Sequence, residues 1–412
     1  MKIIHLNYSD NIGGAAKAAF RIHQSLIKEG YESEMWVCKS DKSDLSIRKQ
    51  DGYLYSLKTH ARSEISRLLL RKKIKETGVF HSLSILPSSW PKLINASDAD
   101  IVNLHWINGE MLSIKDISKI KKPIVWTFHD MWPFSGSEHL SFDEKWQNGY
   151  EKLNSKFLEF DWNRLIWNYK KYYWNKPIHI VAPSLWMSGC VKKSLLMSNW
   201  PVNVIPNCLD TKYWKIFDKD DARRLLGLPL NKPLLCFGSF QENQSFHKGA
   251  DLLEKALKKI QNKIINLEIV VFGKSIKKVN LGRDIPTHYL GKLEDESLMR
   301  AVYNASDLIA VPSRIESFGQ VASEAMACGK PVICFDTCGL KDIVDHKVNG
   351  YLAQSFDTSD YAKGILWILD KLKSDNLSLA ARNKVLNLFS EKIVANQYLD
   401  VYKNAIKSFK NA

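Results

Sequence analysis

Two glutamates eight positions apart, Glu316 and Glu324, enclose Phe318 and Gly319 where an apolar run gives way to a helix. The run Leu308 to Val311 reads as a buried strand closed by Pro312 and Ser313, and the helix reads from near Gly319 to Gly329, before Pro331. At such a junction the first backbone N–H groups, from about Phe318 to Gln320, lack intrahelical acceptors. The helix dipole adds partial positive charge there, so the turn suits an anion such as a phosphate. Glu316 falls in the loop. Glu324 falls inside a helix of Val321, Ala322, Ala325, Met326 and Ala327, where a carboxylate needs a partner. The plainer alternative leaves both glutamates solvated and Gly319 a simple turn.

Other residues of useful type lie at comparable junctions. Lys248 begins the stretch KGADLLEKAL, which follows an expected strand at 233–238. A lysine at a helix N-terminus opposes the dipole unless an anion lies between them, which points to phosphate binding. Gly13 and Gly14 separate an expected strand at 2–8 from an alanine-rich helix running from Ala15 to about Glu29, and glycine there lets a ligand reach the backbone. A tight turn is the competing reading. His105-Trp106 end an expected strand at 101–106 and His129-Asp130 follow one at 124–128, and ligands of doubly wound sheets bind beyond such carboxyl ends. For His105 alone a structural role is the simpler reading. Asp98-Ala-Asp100 leads into a strand at its N-terminal edge and Asp218-Lys-Asp220 fits a helix cap, so no metal ligand set emerges and no metal or other cofactor is expected.

The elements that position these residues alternate. Further strands are expected at 32–39, 178–184, 202–206, 267–273, 287–291, 307–312 and 331–335, with helices between them, which implies parallel sheets. A length of 412 residues allows two domains, and 45% hydrophobic residues without repeats mark an ordinary globular chain. Seven cysteines without a Cys-x-x-Cys pair favour a reducing compartment and supply no zinc pattern. The start reads as a first strand and not a signal peptide, and no apolar stretch approaches a bilayer span, so a cytoplasmic location is expected. A net charge of +15 points to anionic partners. Dispersed basic residues without a nucleic-acid motif exclude nucleic acid as the expected one. The segment Lys58 to Lys75 carries seven basic residues against Glu64 alone; it reads either as a solvated helix or as peripheral contact with an anionic membrane surface. Most tryptophans, twelve of thirteen at or before Trp214, read as packing.

The spacing Glu316-x7-Glu324 around Phe318-Gly319, followed by EAMACGKPV, resembles the signature of glycosyltransferase family 4. HDMWPF, which begins at His129, resembles a segment of a branch that builds bacterial surface polysaccharides such as O-antigen, and Pro206-Asn-Cys-Leu-Asp resembles the family's hinge. The resemblance implies an α/β fold of two doubly wound, Rossmann-like domains facing a cleft: 1–206 on the acceptor side, a linker at 207–214, a nucleotide-sugar domain at 215–390, and a last helix, 391–412, crossing back onto the first domain. It implies a retaining, metal-independent hexosyl transfer from a nucleoside diphosphate sugar to a glycan acceptor, such as one linked to polyprenyl diphosphate. By the same resemblance Glu316 and His129 meet the donor sugar and Lys248 the diphosphate. Gly13, Gly14, Phe318 and Gly319 lie near sugar and phosphate, Glu324 holds the ribose, and Gly291-Lys292 meets the base. The family's arginine a few residues before Lys248 has no counterpart after Gly238. His247 and Lys274 are the neighbouring candidates to replace it, and its absence motivates the alternative of a catalytically weak nucleotide-sugar or glycan-binding protein.

Overall fold

A computed structural model describes residues 1–40, 44–50, 53–150, 160–238, 245–264, 266–273, 285–293, 295–372 and 376–411. The chain divides into two compact units, Met1–Cys208 with Glu391–Ala412, and Leu209–Ser390.

In the first unit seven strands pair in parallel: β1 (Lys2–Ser9), β2 (Glu32–Lys39), β3 (Ile47–Lys49), β4 (Ile101–Leu104), β5 (Ile124–Thr127), β6 (His179–Ala182) and β7 (Val202–Val204). Their order, β3-β2-β1-β4-β5-β6-β7, reverses direction between β1 and β4. Crossovers wind outward from that point on both sides, which makes it the switch point of the sheet. Side chains alternate along a strand, and His5 pairs with Asn103 and Asn103 with Val125. Ile3, His5, Ile101, Asn103, Val125 and Thr127 therefore share one face.

Two helices, Gly14–Lys28 and Glu391–Lys410, cover that face; Ile22, Leu26, Val394, Tyr398, Leu399 and Tyr402 pack with Ile3, Ile101, Val125 and Val181. Asn103 Nδ2 donates to the Tyr402 hydroxyl at 2.7 Å, and Thr127 Oγ1 lies 3.2 Å from the Tyr398 hydroxyl. The last helix thus returns to the first unit, as the resemblance implied. The other face carries a tryptophan-rich core including Trp36, Trp90, Trp126, Trp132, Trp167 and Trp174.

The second unit holds six parallel strands, β8 (Leu234–Gly238), β9 (Glu268–Phe272), β10 (Thr287–Gly291), β11 (Leu308–Val311), β12 (Val332–Phe335) and β13 (Gly350–Ala353), in the order β10-β9-β8-β11-β12-β13. Its switch point lies between β8 and β11. Strands β3 and β13 were not expected from the sequence. The segment 58–75 belongs to one longer helix, Tyr53–Thr77, with Leu70 buried and Ile65, Leu68 and Leu69 exposed. Among the described residues no helix is long and apolar enough to cross a membrane. All seven cysteines are buried.

Candidate functional site

Each switch point gathers the residues singled out above. In the second unit Lys248, after β8, and Glu316, after β11, meet with Nζ 2.5 Å from Oε1, and Ser313 Oγ donates to the same oxygen at 3.0 Å. Burial works to raise the Glu316 pKa. The Lys248 charge and hydrogen bond, helped by Ser313, outweigh it and hold the carboxyl below its ordinary value. The pair is therefore ionised and only partly open to solvent, with 27% of the Lys248 side chain and 17% of Glu316 exposed.

Lys248 does not begin the long helix as expected. It ends a short turn of helix, Ser245–Lys248, and the long helix Ala250–Ile260 starts after Gly249. Gly249 has φ +70°, and a Cβ there would lie 1.9 Å from the Pro312 carbonyl oxygen. The close approach of these two backbones brings Lys248 to Glu316, so the lysine is placed by a contact with the end of β11 and not by a helix N-terminus. Arg314 adds a second tie. Its guanidinium donates to both Asp251 oxygens at 2.8 and 2.7 Å, and its N–H donates to the His247 carbonyl at 2.7 Å. Arg314 is thus held by Asp251. Burial, with Lys248 beside it, pushes the His247 pKa down to about 4, so His247 is neutral at pH 7 and does not replace the charge of the absent arginine. Lys274 lies outside the described residues.

Gly319 caps the helix Gln320–Ala327 with φ +111°, and a Cβ would lie 2.6 Å from Leu340 Cδ2. Glycine is required there by conformation and by packing. Phe318 is buried, with its ring against Phe389. Glu324 is buried and accepts a hydrogen bond from the Tyr303 hydroxyl at 3.0 Å. Lys292 is exposed and follows the edge strand β10, two strands away from β8.

In the first unit Gly13, φ +88°, precedes the helix Gly14–Lys28, and a Cβ on either glycine would meet nothing within 4 Å among the described residues. At Gly14 the protein's own packing makes no demand for a missing side chain, and the helix entry is open. His129 follows β5. Its Nε2 lies 3.0 Å from His105 Nδ1, and His105 Nε2 lies 2.9 Å from His5 Nδ1. Burial drives His129 down to about 4, against a partial opposing pull from Asp130, and drives His5 and His105 well below the usual histidine value. All three rings are neutral at pH 7. Next to them Asp130 Oδ2 lies 2.6 Å from His139 Nδ1 and accepts from Trp106 Nε1 at 2.9 Å. His105 is therefore buried between His129 and His5, as the middle ring of a column. His5 was missed, although the alternation of His5 and Asn7 in an apolar strand was its signal. A cavity of about 260 Å³ opens beside Tyr8 and is lined also by Lys39, Lys49, Gln50, Thr59 and His60. Among the described residues no three His, Cys, Asp or Glu side chains are grouped to hold a metal ion. Asp218 caps the helix Lys219–Leu226 by accepting from the Asp221 amide, as expected.

Residues 12–213 match the model of Glycosyltransferase Family 4 and residues 218–384 that of Glycosyl transferases group 1. Among curated relatives, D-inositol 3-phosphate glycosyltransferase of Xylanimonas cellulosilytica is 32% identical over 45% of this chain and 45% of its own. N-acetyl-alpha-D-glucosaminyl L-malate synthase of Bacillus anthracis is 25% identical over 53% of this chain and 57% of its own. The chain spans about half the length of these relatives. Among solved structures, sucrose-phosphate synthase from Thermosynechococcus elongatus superposes with a TM-score of 0.68 over 99% of both chains at 18% identity. Anabaena HepE in complex with UDP and glucose superposes with a TM-score of 0.65 over 98% of this chain and 100% of its own at 19% identity. At such identities the likeness is one of fold.

Proposed function

The chain is a two-domain protein of GT-B fold, a Glycosyltransferase Family 4 domain followed by a Glycosyl transferases group 1 domain, and from this premise we propose that it transfers a hexose-type sugar from a nucleoside diphosphate sugar, with retention and without a metal. The observation that carries the reading is the ionised Lys248–Glu316 pair beside the Gly319-led helix at the switch point of the second unit. In the proposed reaction Lys248 and the amides of Phe318 to Gln320 stabilise the negative charge of the departing diphosphate. Glu316 orients the sugar, Glu324 the ribose, and the backbone at Gly291-Lys292 the base. In the first unit Gly13 and Gly14 leave the helix entry open to phosphate or acceptor, and His129 meets the sugar. The acceptor carries an anionic group, a reading supported by Lys39, Lys49 and His60 around the first unit's cavity. It is in keeping with relatives named for inositol 3-phosphate and for malate.

A calorimetric titration with UDP and with GDP, without metal, beside Glu324→Ala tests the donor site. Binding of one nucleotide that is lost in the variant supports the reading. Binding of neither refutes it and leaves the non-catalytic alternative. A second reading of the acceptor, a glycan on polyprenyl diphosphate made for surface polysaccharide at the cytoplasmic membrane face, is favoured by exposed Ile65, Leu68 and Leu69 on the basic helix Tyr53–Thr77. Sedimentation with vesicles of anionic lipid, compared with neutral ones, decides it: equal binding to both sinks the membrane reading.

A further inference from the structure

Three imidazoles in a row are an unusual thing to bury. His5 lies in the middle of β1, His105 one residue beyond β4 and His129 two residues beyond β5, so the column climbs the sheet toward the carboxyl ends of its strands. His5 and His105 are almost wholly inaccessible to solvent. Each neutral imidazole has one N–H and one lone pair, so two hydrogen bonds through three rings must run in a single direction. Either every ring carries its proton on Nδ1 and donates toward His129, or every ring carries it on Nε2 and donates toward His5.

The inner end decides between them. Among the described residues, His5 Nε2 is buried without a hydrogen-bond partner. His23, edge-on to His5 at 5.7 Å, is engaged elsewhere, its Nδ1 2.7 Å from Ser33 Oγ and its Nε2 2.9 Å from Ser46 Oγ. If the column ran inward, His5 Nε2 would carry a buried N–H with no acceptor, the rarest kind of unsatisfied group in a folded protein. If it runs outward, that position holds only a lone pair. His129 then carries its proton on Nδ1, at the end of the column away from His5.

We propose that His5 and His105 are positioning residues that fix His129 as its Nδ1–H tautomer, so that it presents an uncharged hydrogen-bond donor to a hydroxyl oxygen of the sugar. This rests on the reading above that His129 meets the sugar. It adds why the ring is neutral and which atom it offers.

The test uses the full chain labelled with ¹⁵N-histidine. Long-range proton–nitrogen correlations at pH 7.5 report each tautomer, and the expected result is protonated Nδ1 on His5, His105 and His129. Nε2–H or a charged ring at His129 overturns the proposal. His105→Leu removes the donor to His129 and His105→Asn keeps one near the same place; His5→Leu serves where His105→Leu fails to fold. His129 should lose its single tautomer in the leucine variants and keep it in His105→Asn, and an unchanged tautomer in the leucine variants refutes the proposal. Release of UDP from UDP-glucose should fall about tenfold in the leucine variants and recover in His105→Asn, with UDP affinity within about twofold throughout. Equal rates in all variants refute the positioning role. Absence of UDP release from the unsubstituted protein counts against the donor reading above, and the tautomer measurement still decides the column.

Discussion

Replacing Gly249 by alanine should cost more than backbone strain alone. A new Cβ would stand 1.9 Å from the Pro312 carbonyl oxygen, and ordinary contact begins at 3.4 Å, so the two backbones must part by the difference, 1.5 Å. Lys248 is the next residue, and a shift of that size along the same line stretches its 2.5 Å contact with Glu316 beyond hydrogen-bond range. The strain is measured separately at Gly227, whose φ of +64° is nearly the same but whose Cβ would meet nothing within 4 Å. Gly227→Ala then carries only the left-handed conformation, about 1 kcal/mol, and Gly249→Ala adds overpacking of about 1–3 kcal/mol. At roughly 2–4 °C per kcal/mol for a unit of this size, melting of the second unit should fall about 3 °C in the first variant and about 10 °C in the second. Calorimetric titration with the nucleotide that the protein binds should show unchanged affinity for Gly227→Ala and a loss of at least tenfold for Gly249→Ala. Equal melting and equal affinity in the two variants would refute the idea that the Gly249–Pro312 contact places Lys248.

Other outcomes follow from the same geometry. Glu316→Gln keeps the shape of the side chain and removes the charge beside Lys248, so turnover should fall about a hundredfold with nucleotide affinity within threefold; a variant of normal rate removes Glu316 from the chemistry. Lys248→Ala should abolish turnover, and residual turnover near the original rate excludes the lysine as the partner of the diphosphate. Acid should destabilise the first unit early. Burial depresses the pKa of His23 and His81 to about 4 and keeps His5 and His105 well below 6.5, whereas the unfolded chain takes up these protons near 6.5. The unfolded state therefore binds more protons below that pH. Stability is full above about pH 6.5 and declines on acidification toward pH 4, by up to about 1.4 kcal/mol per pH unit for each histidine. Denaturant titrations at pH 7.5 and 5.5 should differ by several kcal/mol, and equal midpoints would show that these rings are not buried neutral.

The switch points were legible because local signals mark them. The runs that end near Ser9, Val311 and Phe128 are followed by Asp10, Pro312 and His129, so Gly13, Glu316, Gly319 and His129 are assigned to strand ends by the sequence alone. The unforeseen strands are those with weak signals: β3 is Ile-Arg-Lys at an exposed edge, and β13 begins with glycine. The position of Lys248 was misread for a different reason. Its local sequence favours a helix start, but the left-handed turn at Gly249 is imposed by Pro312, sixty-three residues away in the chain, and no local propensity encodes that. His5 lay between these cases. His5, Asn103 and Thr127 interrupt three apolar strands on one face, with His105 and His129 continuing the pattern just past two of them. The pattern becomes informative only once the register places them side by side.

The two units answer the same structural opportunity with opposite electrostatics. At the β8/β11 switch a lysine keeps the glutamate beside it ionised, and a diphosphate that approaches can exchange places with the carboxylate as the partner of Lys248. At the β1/β4 switch and the adjoining end of β5, burial removes charge from every imidazole of the column. A ring free to change tautomer would spend part of its time offering a lone pair to a hydroxyl that already has its own. A column anchored on the orphan nitrogen of His5 avoids that outcome. In the proposed reaction Lys248 meets the negative charge of the leaving group and His129 a hydroxyl of the neutral sugar, so charge reversal at Lys248 and loss of the column at His105 should fail in different ways: the former in nucleotide affinity, the latter in rate alone.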